Sequence, residues 1–450
     1  MKGIMEAKKY YATALRMAWP SVLESFFIAL AGMIDTMMVG SIGSYAIAAV
    51  GLTTQPKFIA LAIFISINIV VSSLVARRRG QKDRKGANEV LVSAMTLVLI
   101  LCIFVSILTV YFASDLMRLA GSQPDTHQAA IDYYVIIMGG MIFNVVAMCI
   151  NAAQRGSGNT KIAFITNLTS SIVNIFFNYV LINGKWGFPA LGIQGAALAT
   201  VLGTVVAMIM SIHSLIRHDT LIKLQYILKE KLRPKWETSR HILKLSSNIY
   251  LENLAMRIGF LATALSAASL GTRAFAVHNA GMNLLSLGFS FADGMQVAAV
   301  ALTGRALGSG DRQEAINYGQ VCQRIGFAMS VGLSIFVLFF GHNIMAIYFK
   351  DPELIETGVM VTRFMLVIVL LQISQIIYAG CLRSGGDVKY TLFVGILSVS
   401  IIRTLVTLSL VNIFHLGLVG IWLGIFSDQF TRFIFNRHRF KQGKWTQIRI

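Results

Sequence analysis

The sequence predicts an all-α integral membrane protein, with twelve transmembrane helices in two parallel-repeat six-helix bundles around a central cavity. Composition is the first observation behind this prediction, since 56% of the residues are hydrophobic and only 13% are charged, against about 25% in a soluble domain. The second is a series of apolar runs of about 20 residues or more, each long enough to cross a ~30 Å hydrocarbon core as a helix. The third is an internal repeat that divides the chain into two halves.

The repeat matches residues that lie 228 positions apart, without a gap, from about Arg16 to Lys161. The matched pairs include Glu24 with Glu252, Arg77 with Arg305, Asp83 with Asp311, Pro124 with Pro352, Arg155 with Arg383, and Gly158 with Gly386. A further match, of 191–192 and 195 with 416–417 and 420, continues at an offset of 225. Two-fold repeats in a hydrophobic chain are typical of transporters, whose binding site lies between the halves.

Apolar runs between charged or glycine-rich breaks define the twelve predicted spans in order. They lie at about 11–39, 45–76, 88–112, 129–153, 162–183, 190–216, 242–270, 274–304, 316–341, 356–381, 390–412 and 417–437. The longest of them must tilt, bend or extend beyond the bilayer. The predicted domains are an N-terminal bundle at 1–216, a cytoplasmic linker at 217–241, and a C-terminal bundle at 242–450 with a basic cytoplasmic tail.

Lysine and arginine residues are distributed unevenly between alternate loops. One set of loops and termini contains 30 of the 39 basic residues, whereas the alternate loops contain four, at Arg118, Lys185, Arg273 and Lys350. Because cytoplasmic loops are enriched in lysine and arginine, we expect both termini in the cytoplasm of a multi-pass protein of the cell (inner) membrane. The same distribution explains the net charge of +19 without nucleic-acid binding. An even number of spans in each half makes the repeats parallel.

Several sequence motifs resemble those of the multidrug and toxic compound extrusion (MATE) family. The matching segments are PSVLE at 20–24, MIDTMMVG at 33–40, NIFFN at 174–178, LGIQGAALAT at 191–200, ALTGRALGSGD at 301–311 and QIIYAGCLRSGGD at 375–387. The resemblance covers nearly the whole chain, in order. It implies two six-helix bundles that form a V-shaped cavity, and export of organic cations in exchange for sodium ions or protons.

Asp35 is the first candidate for ion coupling, because it lies within the apolar run from Ala29 to Val39. A charge at that depth costs ~2.5–3.5 kcal/mol, so it persists only with a partner or a function. Asn174 and Asn178 are four residues apart and share a helix face, and Thr200 adds a hydroxyl. From the residues alone, these side chains could bind a hard cation or join helices by hydrogen bonds. The resemblance implies a cation site at these four positions, although some relatives have aspartate where Asn178 stands.

The C-terminal half departs from the family pattern. Relatives thought to hold sodium there have an aspartate at the position of Gln372 and a glutamate at that of Met256, although Glu252 lies one turn before Met256. We therefore expect coupling through the N-terminal bundle. Asp293 has no acidic counterpart in the first half, and it could attract cationic substrates or neutralise Arg257, Arg324 or Arg403. Glu24 and Glu252 are expected to cap helix starts and anchor loops, and Asp428 to pair with Arg432.

Taken together, these residues predict a secondary multidrug transporter that exchanges small organic, mainly cationic compounds for protons or sodium ions by alternating access. No convergent catalytic residues, nucleotide-binding loop or metal-ligand spacing is apparent, so we expect neither an enzyme nor a cofactor. If sodium is the coupling ion, it binds at Asp35, Asn174 and Asn178, with Glu252, Gln372, Met256 and Asp293 near the substrate. Membrane lipids are the other expected partners, and a monomer is expected. The alternative is a lipid-linked precursor flippase of the wider superfamily, because four arginines lie within spans of the second half.

Overall fold

The computed structural model describes residues 2–216 and 220–448, with side chains from residue 8 onward except Ser44 and Thr272. All regular elements in these ranges are helical, which confirms the predicted all-α fold class. Arg217 and Arg449, at the predicted start of the linker and in the tail, lie outside the described residues. The chain forms two compact units: Leu23–Ser247 is one, and Met1–Val22 with Asn248–Ile450 is the other.

The helices in the first half are numbered in chain order. They are α1 (Lys2–Gly40), α2 (Ser44–Gly80), α3 (Arg84–Tyr111), α4 (Ala113–Leu119), α5 (His127–Gly139), α6 (Met141–Gly156), α7 (Thr160–Asn183), α8 (Gly192–Ser214) and α9 (Leu224–Lys229).

The second half continues the numbering. Its helices are α10 (Trp236–Ser269), α11 (Thr272–Gly308), α12 (Arg312–Tyr348), α13 (Pro352–Ser384), α14 (Val388–Gly395), a π-helical segment (Ile396–Arg403), α15 (Thr404–Leu408), a second π-helical segment (Ser409–Ile413), α16 (Gly417–Lys441) and a 3₁₀ turn (Lys444–Gln447).

Ten helices in the described ranges are long and apolar enough to cross a membrane, and the α5–α6 pair makes an eleventh span bent by 46°. The remaining predicted span corresponds to α10, a 34-residue helix that contains Lys244, Glu252 and Arg257. These charged residues explain why α10 does not reach the apolarity of the other spans. Its counterpart in the repeat, α1, does reach it.

The repeat is visible in the helix ends. The bounds of α2 (Ser44–Gly80) and α11 (Thr272–Gly308) are related by the same offset of 228 residues. Asp83 and Asp311 cap α3 and α12 in the same way, by accepting a hydrogen bond from a backbone N–H three residues later, at 2.8 Å in each case. Side-chain capping of this kind satisfies an N–H group that the helix leaves unpaired.

The segment after α8 is attached to the start of α3. Asn88 donates to the carbonyl of Leu221 and accepts from the N–H of Lys223, and the ammonium group of Lys235 pairs with Glu89 at 2.8 Å. The short helix α9 begins at Leu224, within this segment. These contacts place the described part of the linker within the unit Leu23–Ser247.

Candidate functional site

Asp35 of α1 and Asn178 of α7 meet within the unit Leu23–Ser247. The amide Nδ2 of Asn178 donates to Oδ1 of Asp35 at 2.5 Å. Asn178 is fully buried, and its Oδ1 has no hydrogen-bond partner among the described residues. A carboxylate therefore faces an amide whose oxygen remains available to a ligand.

Asn174 and Thr200 form a second pair. Asn174 Nδ2 donates to the Thr200 hydroxyl at 3.1 Å, and that hydroxyl donates to the carbonyl of Ala196 at 3.0 Å. Because Asn174 lies one turn before Asn178, the two pairs are on the same face of α7. The structure thus brings the four predicted residues together as two neighbouring pairs.

Lys57 of α2 and Tyr133 of α5 complete this group, and the sequence reasoning did not include them. The Lys57 ammonium group lies 6.0 Å from the centre of the Tyr133 ring. Lys57 and the buried Tyr133 both interact electrostatically with Asp35. A lone lysine in the apolar run of α2 was the available signal, but Lys57 is distant from Asp35 along the chain. We call these six residues the Asp35 cluster.

The Asp35 cluster offers carboxylate, amide and hydroxyl oxygens, the ligand types that hard cations prefer. Protonation of Asp35 is the other way to neutralise its charge. No group of three or more histidine, cysteine, aspartate or glutamate side chains that could hold a metal ion occurs in the described ranges. Lys57 brings a positive charge close to the carboxylate, so an entering cation must compete with it.

Glu252 and Glu24 occupy equivalent positions in the two halves, and each binds an arginine. Glu252 accepts from Arg383 Nη2 at 2.7 Å and from the Thr391 hydroxyl at 3.2 Å. Glu24 pairs with Arg155, the repeat partner of Arg383. The expectation that both glutamates cap helix starts is wrong, because α1 begins at Lys2 and α10 at Trp236. Both glutamates instead hold the arginine that precedes a turn.

The remaining C-terminal candidates, Gln372, Met256 and Asp293, each have different interactions. Gln372 is fully buried, and neither of its amide atoms has a hydrogen-bond partner among the described residues. The Met256 sulfur lies 3.5 Å from Arg432 Nη1. The exposed side chain of Asp293 lies within electrostatic range of Arg383. A role for these residues in substrate binding stays a prediction.

Arg403 and Arg324 do not supply the neutralising partner considered for Asp293. Arg403 pairs with Asp428, and Arg324 donates to the Tyr11 hydroxyl at 3.4 Å. The predicted ion pair between Asp428 and Arg432 is confirmed, with Arg432 Nε 2.8 Å from Asp428 Oδ1.

Comparison with known proteins gives consistent results. The MatE family model matches the chain twice, at residues 20–180 and 249–408. The "Probable multidrug resistance protein NorM" of Thermotoga maritima is 27% identical over 435 residues, which cover 96% of this chain and 92% of the relative. "Multidrug resistance protein MdtK" of Yersinia pseudotuberculosis is 27% identical over 400 residues, covering 87% of this chain and 85% of the relative.

Solved structures have the same fold. One, described as the "Outward-facing conformation of a multidrug resistance MATE family transporter of the MOP superfamily", aligns with a TM-score of 0.89 at 22% identity. Another, a MOP superfamily transporter from Pyrococcus furiosus, aligns with a TM-score of 0.88 at 22% identity. Each alignment covers 97% of both chains.

Proposed function

This chain belongs to the MatE family of multi-pass membrane transporters, and we propose that it exports organic, mainly cationic compounds from the cell in exchange for protons or sodium ions. The similarity to relatives named as multidrug resistance proteins supports multidrug efflux. The internal repeat supports a mechanism of alternating access, in which two related halves move against each other.

The observation that carries the ion-coupling proposal is the hydrogen bond between Asp35 and Asn178 inside apolar helices. A carboxylate at such a depth needs a compensating positive charge or a proton, and the Lys57 ammonium group supplies that charge when no ion is bound. The unpartnered amide oxygen of Asn178 gives a cation a second ligand. Ion binding and ion release would thus change the net charge of the Asp35 cluster by one, which can bias a conformational equilibrium.

Proteoliposomes containing the purified transporter test this proposal directly. Drug efflux is measured under an imposed proton gradient and, separately, under an imposed sodium gradient. We expect one of the two gradients to drive efflux and Asp35→Asn to abolish this drive while drug binding persists. Asp125→Asn is the matched control, because Asp125 is an exposed loop residue. Gradient-driven efflux at the wild-type rate in Asp35→Asn would remove Asp35 from the mechanism.

We further propose the orientation given by the basic loops, with both termini in the cytoplasm. Single cysteines near Gln123, Trp186 and Arg273 should react with an impermeant thiol reagent in intact cells, whereas those near Lys82 and Ser309 should not. The four native cysteines are buried, which keeps the background low. Labelling near Lys82 without labelling near Trp186 would show that the protein has the opposite orientation.

The flippase alternative rests on arginines available to a pyrophosphate, and the structure gives it little support. Arg403, the most buried of them at 1% exposure, is too enclosed for a pyrophosphate and shares Asp428 with Arg432. Failure of drug efflux under both gradients would favour the flippase alternative.

A further inference from the structure

The C-terminal unit contains a buried group of charges around Asp428, whose counterpart in the first half is uncharged. Asp428 and Arg432 of α16 lie beside Arg403, which ends the first π-helical segment. Exposure is 0% for Asp428, 5% for Arg432 and 1% for Arg403. At the offset of 225, the counterparts of Asp428 and Arg432 are Gly203 and Ala207, both buried and uncharged. The charges are therefore an addition to the second half.

One carboxylate cannot neutralise both guanidinium groups. Arg432 donates hydrogen bonds to both Asp428 oxygens, from Nε to Oδ1 at 2.8 Å and from Nη2 to Oδ2 at 3.0 Å. The amide of Gln429 also donates to Oδ2, at 3.3 Å. Arg403 Nη1 reaches the same oxygen only at 3.5 Å. The group therefore has a net charge of about +1, since arginine stays protonated in proteins.

Arg403 is the less well compensated of the two arginines, because its contact with Asp428 is the longer one. Its Nε donates to Thr263 at 2.8 Å, and its guanidinium carbon lies 4.7 Å from the centre of the Phe260 ring. Both of these partners are neutral. Nη2 is buried and has no hydrogen-bond partner among the described residues. A buried charge that is only partly compensated is destabilising, so a bound anion would stabilise this arrangement.

Further polar side chains lie in the same part of the unit as Arg403. Thr407 lies one turn later, and its buried hydroxyl has no hydrogen-bond partner among the described residues. His278 is within electrostatic range of Arg403 and packs beside Trp422, with ring centres 5.9 Å apart. His278 Nδ1 and Trp422 Nε1 are likewise buried without a partner in the described part of the chain. An anion here would find a guanidinium group and neutral donors.

The repeat relates this group to the Asp35 cluster. Thr263, which binds Arg403, is the counterpart of Asp35 at the offset of 228. At the same offset, Leu285 stands at the counterpart of Lys57. At the offset of 225 that applies after residue 191, Ile425 stands at the counterpart of Thr200. The carboxylate of the first half thus corresponds to a hydroxyl in the second, and a guanidinium group binds that hydroxyl. The polarity favours a cation in the first half and an anion in the second.

We propose that the C-terminal unit binds one monovalent anion, a halide or a carboxylate group, at Arg403 Nη2. The test is an anion titration of the purified full-length protein at constant sodium and ionic strength, with gluconate, which is too bulky for an enclosed site, as the reference. Chloride or acetate should raise the unfolding temperature saturably. A response to chloride identifies a halide site, whereas a response to acetate alone identifies a site for a small carboxylate.

Arg403→Met should weaken the anion response at least tenfold. It leaves the Asp428–Arg432 pair intact, so its stability in gluconate should equal or exceed that of the wild type. Arg324→Met, at an exposed arginine of the same unit, should keep the response, and so should Asp35→Asn, which separates this site from ion coupling. Equal unfolding temperatures of the wild type in all anions would overturn the proposal, whatever the behaviour of the variants. A full response in Arg403→Met would overturn it as well.

Discussion

The repeated ion pair gives the sharpest test of the energetics, because one molecule contains two versions of it. The perturbation is Glu252→Gln, which removes the charge and preserves the shape. In the wild type the Glu252 side chain is 6% exposed and that of Arg383 is 12% exposed, so little solvent screens them. Removing one partner of a buried pair costs about 3–5 kcal/mol. The remaining amide oxygen and the nearby Asp293 reduce this, so we expect a loss of about 2–3 kcal/mol.

The corresponding change in the first half, Glu24→Gln, should cost less. Arg155 is 23% exposed, whereas Arg383 is 12% exposed. Solvent can therefore stabilise the freed guanidinium group, and we expect a loss of about 1–2 kcal/mol. The free energy of unfolding is measured on the purified protein in mixed micelles by tryptophan fluorescence.

A double-mutant cycle separates the pair from its surroundings. Arg383→Met in the Glu252→Gln background removes the unpaired charge and should recover stability, with a coupling energy of at least about 1 kcal/mol. Strictly additive losses, or a larger loss for Glu24→Gln than for Glu252→Gln, would refute the reasoning from burial.

Three further predictions concern other parts of the chain. Lys57→Met should lower the half-saturating concentration of the driving ion about tenfold in proteoliposome efflux, because it removes a positive charge that competes for Asp35; an unchanged value would exclude this competition. Asp293→Asn should reduce efflux of a cationic drug about tenfold and leave a neutral one unchanged, whereas equal losses would exclude a role in recognition. Trp445→Ala should lower the free energy of unfolding by about 3–5 kcal/mol, because Trp445 is fully buried, and the exposed Trp236→Ala is the control.

Helix number and helix ends were largely predictable from the sequence, because apolar runs and their breaks report directly on the bilayer. The bend between α5 and α6 also has a local signal, since α5 ends at Gly139 and Gly140 separates it from α6. Glycine stabilises a helix less than other residues do, and α8 approaches closely, so that a Cβ on Gly140 would lie 2.7 Å from Val201. The repeat partners of these glycines, Val367 and Ile368, lie within the continuous helix α13.

The partners of charged residues were less predictable. Asp35 and Asn178 stood out as polar residues in apolar helices, but nothing in the local pattern related Lys57 to them. The same holds for Arg403, for which the sequence suggested Asp293 as a partner, whereas the structure pairs it with Asp428. Pairing of Asp428 with Arg432 was predictable because an i,i+4 spacing determines it. Contacts between helices depend on rotation and depth, which an apolar pattern specifies only coarsely.

A duplicated chain preserves its backbone more strictly than its polar chemistry. Asp83 and Asp311 retain the same cap, and Glu24 and Glu252 retain an arginine, because both arrangements stabilise a turn that each half needs. The centre of each unit has no such shared requirement. Charge there is costly unless it is compensated, so we propose that Asp35 in one half and Arg403 in the other bind different ions. On this argument the two halves are alike as scaffolds and have diverged as binding sites.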